Sequence, residues 1–389
     1  MAKRILAVGH DAYRAGAQIV FLHILRWMRE HYDADLSLVL GVGGAIEADY
    51  EKVLPTTVLR PFPEPKRRLD SLVPPAVAHR RRERALDRRI DQLAQQPYDL
   101  VYVNSAAAAP LGTRLAARIG CPSVCHVHEL EMSIRRSPGE RRMREAIDVL
   151  DGYIAVSRAV EDMLVEQFDV DASKIDLVHE CIPILPTPDA AAGARVLADQ
   201  GIPPDAFVVG GCGTLDWRKG PDVFLLVAKA VARRHPARPI HFLWVGGEPQ
   251  HLGQLEHDLE RLRLDGTVGF TGSVPDPSPF FARFDTFLLS SREDPFPLVC
   301  LEAAAASVPI VCFADGGGMP EFVENDAGAV VDYLDIEAAA DRIVELAADE
   351  DTRLALGRRA RTKVTERCSI DVIGPQLQRV LDRHARVLH

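Results

Sequence analysis

The sequence predicts an α/β protein of two Rossmann-like domains, each built on a parallel sheet. Two observations carry this prediction. Short apolar runs alternate with helical stretches through both halves of the chain, the pattern of strands joined by crossover helices. The length, 389 residues, also fits two domains better than one. A stretch rich in Pro, Ala and Gly, residues 183–204, reads as the linker. The expected division is a first domain over 1–182, a second over 205–368, and a terminal helix over 369–389.

Composition narrows the function. The chain is 47% hydrophobic and 26% charged, as a globular protein is. A net charge of −10 argues against a nucleic-acid binder. No apolar run is long enough for a membrane helix. The opening Met1–Val8 is basic then apolar, but Gly9-His10-Asp11 ends it too early for a signal peptide. Seven scattered cysteines suggest reduced thiols and a cytoplasmic location.

In the first half, Lys3–Gly9 reads as a buried strand. The loop after it, His10 to Gln18, contains Gly16 and leads into an amphipathic helix over Ile19–His31. Such a loop faces ligand in doubly wound folds. It is not Gly-x-Gly-x-x-Gly, so a nicotinamide-dependent oxidoreductase is excluded. Leu36–Gly41 and Thr56–Leu59 are further strands, and Asp33-Ala-Asp35 lies before a strand, a poor place for a metal site. Lys66, Arg67 and Arg68 form a basic zone with Arg80, Arg81, Arg82, Arg84, Arg88 and Arg89. Arg135, Arg136, Arg141, Arg142 and Arg144 form a second. Basic amphipathic helices suit solvent or an anionic membrane surface. Asp99–Asn104 and Ser123–His128 are strands, the latter ending in His126-Val-His128-Glu129. Alternate residues share a face, but no third metal ligand is spaced to join them, so His126 reads as a satisfied structural histidine. Ser157 reads as a helix N-cap.

In the second half, the strand Ala206–Cys212 opens into Gly213-Thr214-Leu-Asp-Trp-Arg218-Lys219-Gly220 and a helix. Strands at Ile240–Gly246 and Thr267–Thr271 follow. The strand Asp285–Leu289 then leads to Ser290-Ser291-Arg292-Glu293-Asp294-Pro295-Phe296-Pro297-Leu298-Val299 and a helix holding Glu302. Pro297 suits the first helical position. The free N–H groups of Leu298 and Val299 and the helix dipole favour an electron-rich ligand. The two acids, Asp294 and Glu302, stand too far apart to share a proton and can hold two parts of one ligand. After Pro309–Phe313 comes a loop with Gly316, Gly317, Gly318 and Glu321, and then three helices over 335–348, 352–366 and 370–386.

The Asp294–Glu302 stretch resembles the E-x7-E signature of the retaining family 4 glycosyltransferases of GT-B fold. Asp294 stands where the first Glu is usual, with Glu293 one residue upstream as the alternative. Lys219 matches the family's Lys-Gly. Thr214 occupies the position of its Arg, and Arg218 is the substitute. Gly246-Gly247-Glu248, Gly272-Ser273-Val274, the Gly317-Gly318 loop and His128-Glu129 match further family segments. The resemblance implies two domains facing across a cleft, the first on the acceptor side and the second binding the nucleotide sugar, with the last helix crossing back onto the first. It implies transfer of a hexose-type sugar from a UDP or GDP donor to a hydroxyl acceptor, without metal or cofactor, in envelope polysaccharide or lipid-linked glycan synthesis. A peripheral place on the inner membrane face goes with that role. Lys219 and Arg218 are expected to grip the diphosphate and Glu302 the ribose. Asp294, Phe296, Pro297, Leu298 and Val299 are expected at the sugar, with His128 orienting it. Gly16, Thr214, Glu293, Gly317 and Gly318 line the donor. A nucleotide-sugar 2-epimerase and a non-catalytic nucleotide-sugar binder share the same pocket and remain alternatives.

Overall fold

The computed structural model describes residues 3–62, 75–186, 190–248, 250 and 252–386. They divide into two compact units. One comprises residues 1–179 and 370–389, the other residues 180–369.

The first unit alternates strand and helix: β1 (Lys3–Gly9), α1 (Gly16–His31), β2 (Ala34–Val42), α2 (Glu47–Glu51), β3 (Thr56–Arg60), α3 (Pro75–Leu93), β4 (Leu100–Asn104), α4 (Ala109–Ile119), β5 (Ser123–Val127), α5 (Glu131–Arg136), α6 (Glu140–Ile147), β6 (Gly152–Ala155), α7 (Arg158–Phe168) and β7 (Ile175–Leu177). Its strands pair in the order β3-β2-β1-β4-β5-β6-β7, all parallel. Ile5 to Val8 and Leu100 to Val103 are wholly buried. These unbroken apolar runs are what a parallel sheet covered on both faces requires. Ser157 does cap α7, its side chain accepting from the Val160 N–H.

The second unit repeats the plan with α8 (Ala190–Asp199), β8 (Phe207–Cys212), α9 (Pro221–Arg233), β9 (Ile240–Val245), α10 (Leu252–Leu262), β10 (Val268–Phe270), α11 (Ser278–Phe281), β11 (Thr286–Leu289), α12 (Leu298–Ala305), β12 (Ile310–Phe313), α13 (Met319–Val323), β13 (Gly328–Val331), α14 (Ile336–Ala348) and α15 (Glu350–Arg367). Its order is β10-β9-β8-β11-β12-β13, again parallel. The stretch read as a linker thus carries a helix, α8.

The final helix, α16 (Ile370–His384), belongs to the first unit. Asp382 ties it down by accepting from the Tyr32 hydroxyl at 2.7 Å and pairing with Lys3. Gly374 lets it approach α1, because a Cβ there would lie 2.4 Å from the Trp27 ring. In both sheets the strand order reverses beside the first strand of the unit, between β1 and β4 and between β8 and β11. Ligands of open α/β sheets bind at such switch points, outside the carboxyl ends of the strands. Gly374→Ala is expected to force Trp27 aside and to destabilise the chain by about 1–3 kcal/mol. Thermal melting checks this, and an unchanged midpoint would show that the packing of α16 on α1 is looser than described.

Candidate active site

At the switch point of the second unit two loops meet, one after β8 and one after β11. Asp216 shapes the first loop. Its carboxylate accepts from the Lys219 N–H at 3.0 Å and from the Thr214 hydroxyl at 3.2 Å. Gly220 takes a left-handed φ of 65°, and a Cβ there would lie 2.2 Å from the Ser290 carbonyl oxygen. Only glycine allows both the conformation and the approach. The loops are then stitched together: the Ser290 hydroxyl donates to the Lys219 carbonyl at 3.1 Å, and the Arg292 N–H to that of Arg218 at 2.8 Å.

Their meeting point is Asp294, a carboxylate only 4% exposed. Lys219 Nζ donates to its Oδ2 at 2.5 Å, and the Ser291 hydroxyl to the same oxygen at 3.1 Å. Arg218 Nη1 lies 3.3 Å from Oδ1 and donates to the Glu293 carbonyl at 3.0 Å. Burial pushes the Asp294 carboxyl up, but the Lys219 and Arg218 charges and the hydrogen bonds outweigh it and hold it below the usual carboxylate range. Sequence reasoning placed Lys219 and Arg218 on the diphosphate and Asp294 on the sugar. Here the two cations converge on Asp294 itself, so they are partly neutralised. Arg218 reaches the same carboxylate as Lys219. Thr214 is exposed and held by Asp216, outside the cluster.

The loop after β12 closes the site. The Asp294 N–H donates to the Gly316 carbonyl at 2.8 Å, and the Gly318 N–H to the Asp294 carbonyl at 3.2 Å. Gly317 has φ 129°, and a Cβ would lie 1.8 Å from the Asp294 carbonyl oxygen. The glycine expected to admit a ligand therefore admits the Asp294 backbone. Pro297 is the N-cap of α12, with ψ 124°, so the helix starts at Leu298 and Val299, one residue later than expected. Phe296 is buried edge-on against Phe322, with centroids 6.4 Å apart. Glu302 lies one turn into α12, and its charge, after burial, raises the Cys212 thiol to about 12.

At the switch point of the first unit, Asn104 ends β4. Its amide Nδ2 donates to the Ala17 carbonyl at 3.1 Å, which leaves Oδ1 to meet His128 Nε2 at 2.9 Å. A carbonyl only accepts, so the amide orientation is set, and His128 Nε2 carries the proton toward Asn104. Glu129 accepts from the His128 N–H at 2.9 Å, from the Ala106 N–H at 3.0 Å and from the Ser105 hydroxyl. The His126 ring lies 4.2 Å from that of His128. Its Nδ1 meets the Tyr102 hydroxyl at 2.8 Å, while the buried Nε2 has no hydrogen-bond partner among the described residues. His126 is thus half satisfied, which corrects the expectation. Burial, reinforced by His128, holds it well below the usual histidine range and therefore neutral. Gly16 opens α1, and a Cβ there would meet nothing within 4 Å.

Ser291, Arg292, Asp216 and Asp222 were not singled out in the sequence. Asp222 binds Arg292 through both oxygens, at 2.9 and 2.6 Å. The signal was available as Asp222 in the first turn of α9, but pairing across seventy residues leaves no local trace. Among the described residues no group of three or more His, Cys, Asp or Glu side chains could hold a metal. In the second basic zone Arg135, Arg141 and Arg144 are paired along their own helices with Glu131, Glu145 and Glu140. Lys66, Arg67 and Arg68 of the first zone, and the Arg82 side chain, lie outside the described residues.

Comparison with known proteins places the chain in a family. Residues 14–184 match the family described as Glycosyltransferase Family 4, and residues 195–363 the family Glycosyl transferases group 1. The D-inositol 3-phosphate glycosyltransferase of Corynebacterium kroppenstedtii is 27% identical over 69% of this chain and 64% of its own length. That of Paenarthrobacter aurescens is 27% identical over 77% and 76%. The lipopolysaccharide core glycosyltransferase LpsE of Rhizobium meliloti is 32% identical over 44% and 48%. The chain thus spans less than two thirds of several of the curated relatives it matches. Among solved structures, Anabaena HepE in complex with UDP aligns with a TM-score of 0.80 at 22% identity, over 98% of this chain and 100% of that one. The fold is therefore GT-B, and the chain belongs to the group 1, family 4 glycosyltransferases.

Proposed function

We propose that this protein is a retaining glycosyltransferase that moves a hexose-type sugar from a nucleoside diphosphate donor to a hydroxyl acceptor. The convergence of Lys219 and Arg218 on Asp294 at the β8/β11 switch point carries the reading. A departing diphosphate gains negative charge, and two cations beside a helix N-terminus stabilise it without a metal or cofactor. The cations pass from Asp294 to the diphosphate as donor binds, and Asp294 then accepts hydroxyls of the sugar. Glu302 takes the ribose hydroxyls. The acceptor attacks from the face the diphosphate leaves, and a phosphate oxygen takes its proton. UDP is the first donor to test, since HepE was crystallised with UDP and with UDP-glucose. The relatives acting on D-inositol 3-phosphate and on lipopolysaccharide core support a hydroxylated small molecule or envelope glycan as acceptor. The outward arginines of α3, Arg80, Arg81, Arg84 and Arg88, suit a peripheral position on an anionic inner membrane face.

Calorimetry with UDP, GDP, ADP and dTDP, without metal and then with magnesium, tests the reading. Metal-independent binding of one of them is expected, and binding of none would sink it. Lys219→Ala should lower transfer by about 100-fold or more, as loss of a transition-state charge partner does. Transfer at near the original rate would remove Lys219 from the diphosphate site. Asp294→Asn should separate the two duties of the carboxylate. With its charge gone, the cations are released to the nucleotide, so UDP binding tightens by about tenfold while sugar transfer is lost. Weaker UDP binding in this variant would show that Asp294 does not compete with the diphosphate.

A further inference from the structure

Beside the Asp294 cluster lies a group of side chains that the donor chemistry does not use. Trp217 immediately precedes Arg218 and is 56% exposed, whereas the other two tryptophans, Trp27 and Trp244, are 8% and 2% exposed. The indole is held in place. The Arg292 guanidinium covers it, 5.3 Å from the ring centroid, and donates to the Trp217 carbonyl at 3.0 Å. Asp222 then locks that guanidinium through both of its oxygens. A second exposed ring, Tyr333, hydrogen-bonds the Arg292 carbonyl at 3.3 Å. An indole left more than half exposed forgoes burial free energy that a core position would supply. Tryptophan is enriched at binding interfaces, where its ring supplies a large contact area and its N–H a polar handle.

We infer that Trp217 is a stacking platform for a neutral pyranose ring of a glycan acceptor. A sugar ring has one face made of C–H groups, which lies flat on an indole, and hydroxyls at its rim that need polar partners. Each oxygen of Asp216 and Asp222 accepts a bond within the chain and keeps a second lone pair for a sugar hydroxyl, and the Tyr333 oxygen can accept while it donates to the Arg292 carbonyl. The platform takes a neutral ring, not an anion, because Asp222 already cancels the charge of Arg292. A phosphate would instead meet two nearby carboxylates. The inference rests on the glycosyltransferase reading for its ligand class. It adds a subsite on the β8 loop, joined to the donor cations through the Arg292 N–H bond to the Arg218 carbonyl at 2.8 Å.

Saturation-transfer NMR with the methyl pyranosides of glucose, galactose, mannose and N-acetylglucosamine tests it on the full chain. At least one of these sugars should receive saturation through its C–H protons from the wild type. In Trp217→Ala that signal should fall by about fivefold, while UDP affinity by calorimetry stays within about twofold. Trp217→Phe, which keeps a ring on Arg292, should retain part of the signal. No saturation with any of the four sugars would overturn the platform, and so would a signal that survives in Trp217→Ala. A large loss of UDP affinity in Trp217→Ala would also overturn it, by assigning the indole to the nucleotide. Failure of the wild type to bind any nucleoside diphosphate would count against glycosyl transfer itself. The saturation difference between wild type and Trp217→Ala judges the platform separately.

Discussion

The buried carboxylate of Asp294 is the constraint on which the second unit's ligand end depends. Its side chain holds Lys219 and Arg218 of the β8 loop. Its backbone pairs with Gly316 and Gly318 of the β12 loop. Three loops from three adjacent strands are thereby fixed to one residue. A charge this deeply buried costs free energy unless paired and hydrogen-bonded. Both oxygens of Asp294 have partners, and Lys219 and Arg218 answer its charge. The glycines then follow from sterics. Gly220 and Gly317 stand where backbone meets backbone at distances no Cβ allows. Replacing either disturbs the position of the cations before it disturbs the core.

Such a cluster is a poor way to gain stability. Desolvating three charges roughly cancels their attraction, and well-packed apolar residues often do as well or better. The core of the unit is built from other residues, such as Phe224, Phe242 and Trp244. The cluster lies instead at the switch point, where ligands of open α/β sheets bind. The first unit shows the same economy without charge. Asn104, at the equivalent reversal of strand order, spends one amide on two tasks, orienting His128 and anchoring the start of α1.

The fold was legible because its signals are local. Buried strands such as Leu100–Asn104 read as unbroken apolar runs, and the turns after them as polar loops with glycine. The positions of Lys219, Asp294 and His128 at strand ends were legible for the same reason. Their mutual arrangement was not. That Lys219 reaches Asp294 depends on β8 lying beside β11, a pairing between segments about seventy-five residues apart. Arg292 illustrates the limit most sharply. In the sequence it is one basic residue beside two acids, but in the fold it turns from both to Asp222 and to the face of Trp217. His126 shows the reverse error, since its buried position was legible and its half-satisfied ring was not.

Thr214 joins these strands of argument. Against the family pattern, Thr214 stands at the second position of the β8 loop, where an arginine is usual. In the structure Arg218 and Lys219 of that loop both reach Asp294. The loop turns through Asp216, whose carboxylate binds both Thr214 and the Lys219 N–H, so the chain doubles back within six residues. A side chain on Arg218 then starts close to Lys219 and needs only its own length to reach Asp294 Oδ1. A guanidinium delivered from the far end of the loop meets the same carboxylate that the lysine meets. The charge around Asp294 is set by where the loop delivers its side chains, and sequence position alone does not give that.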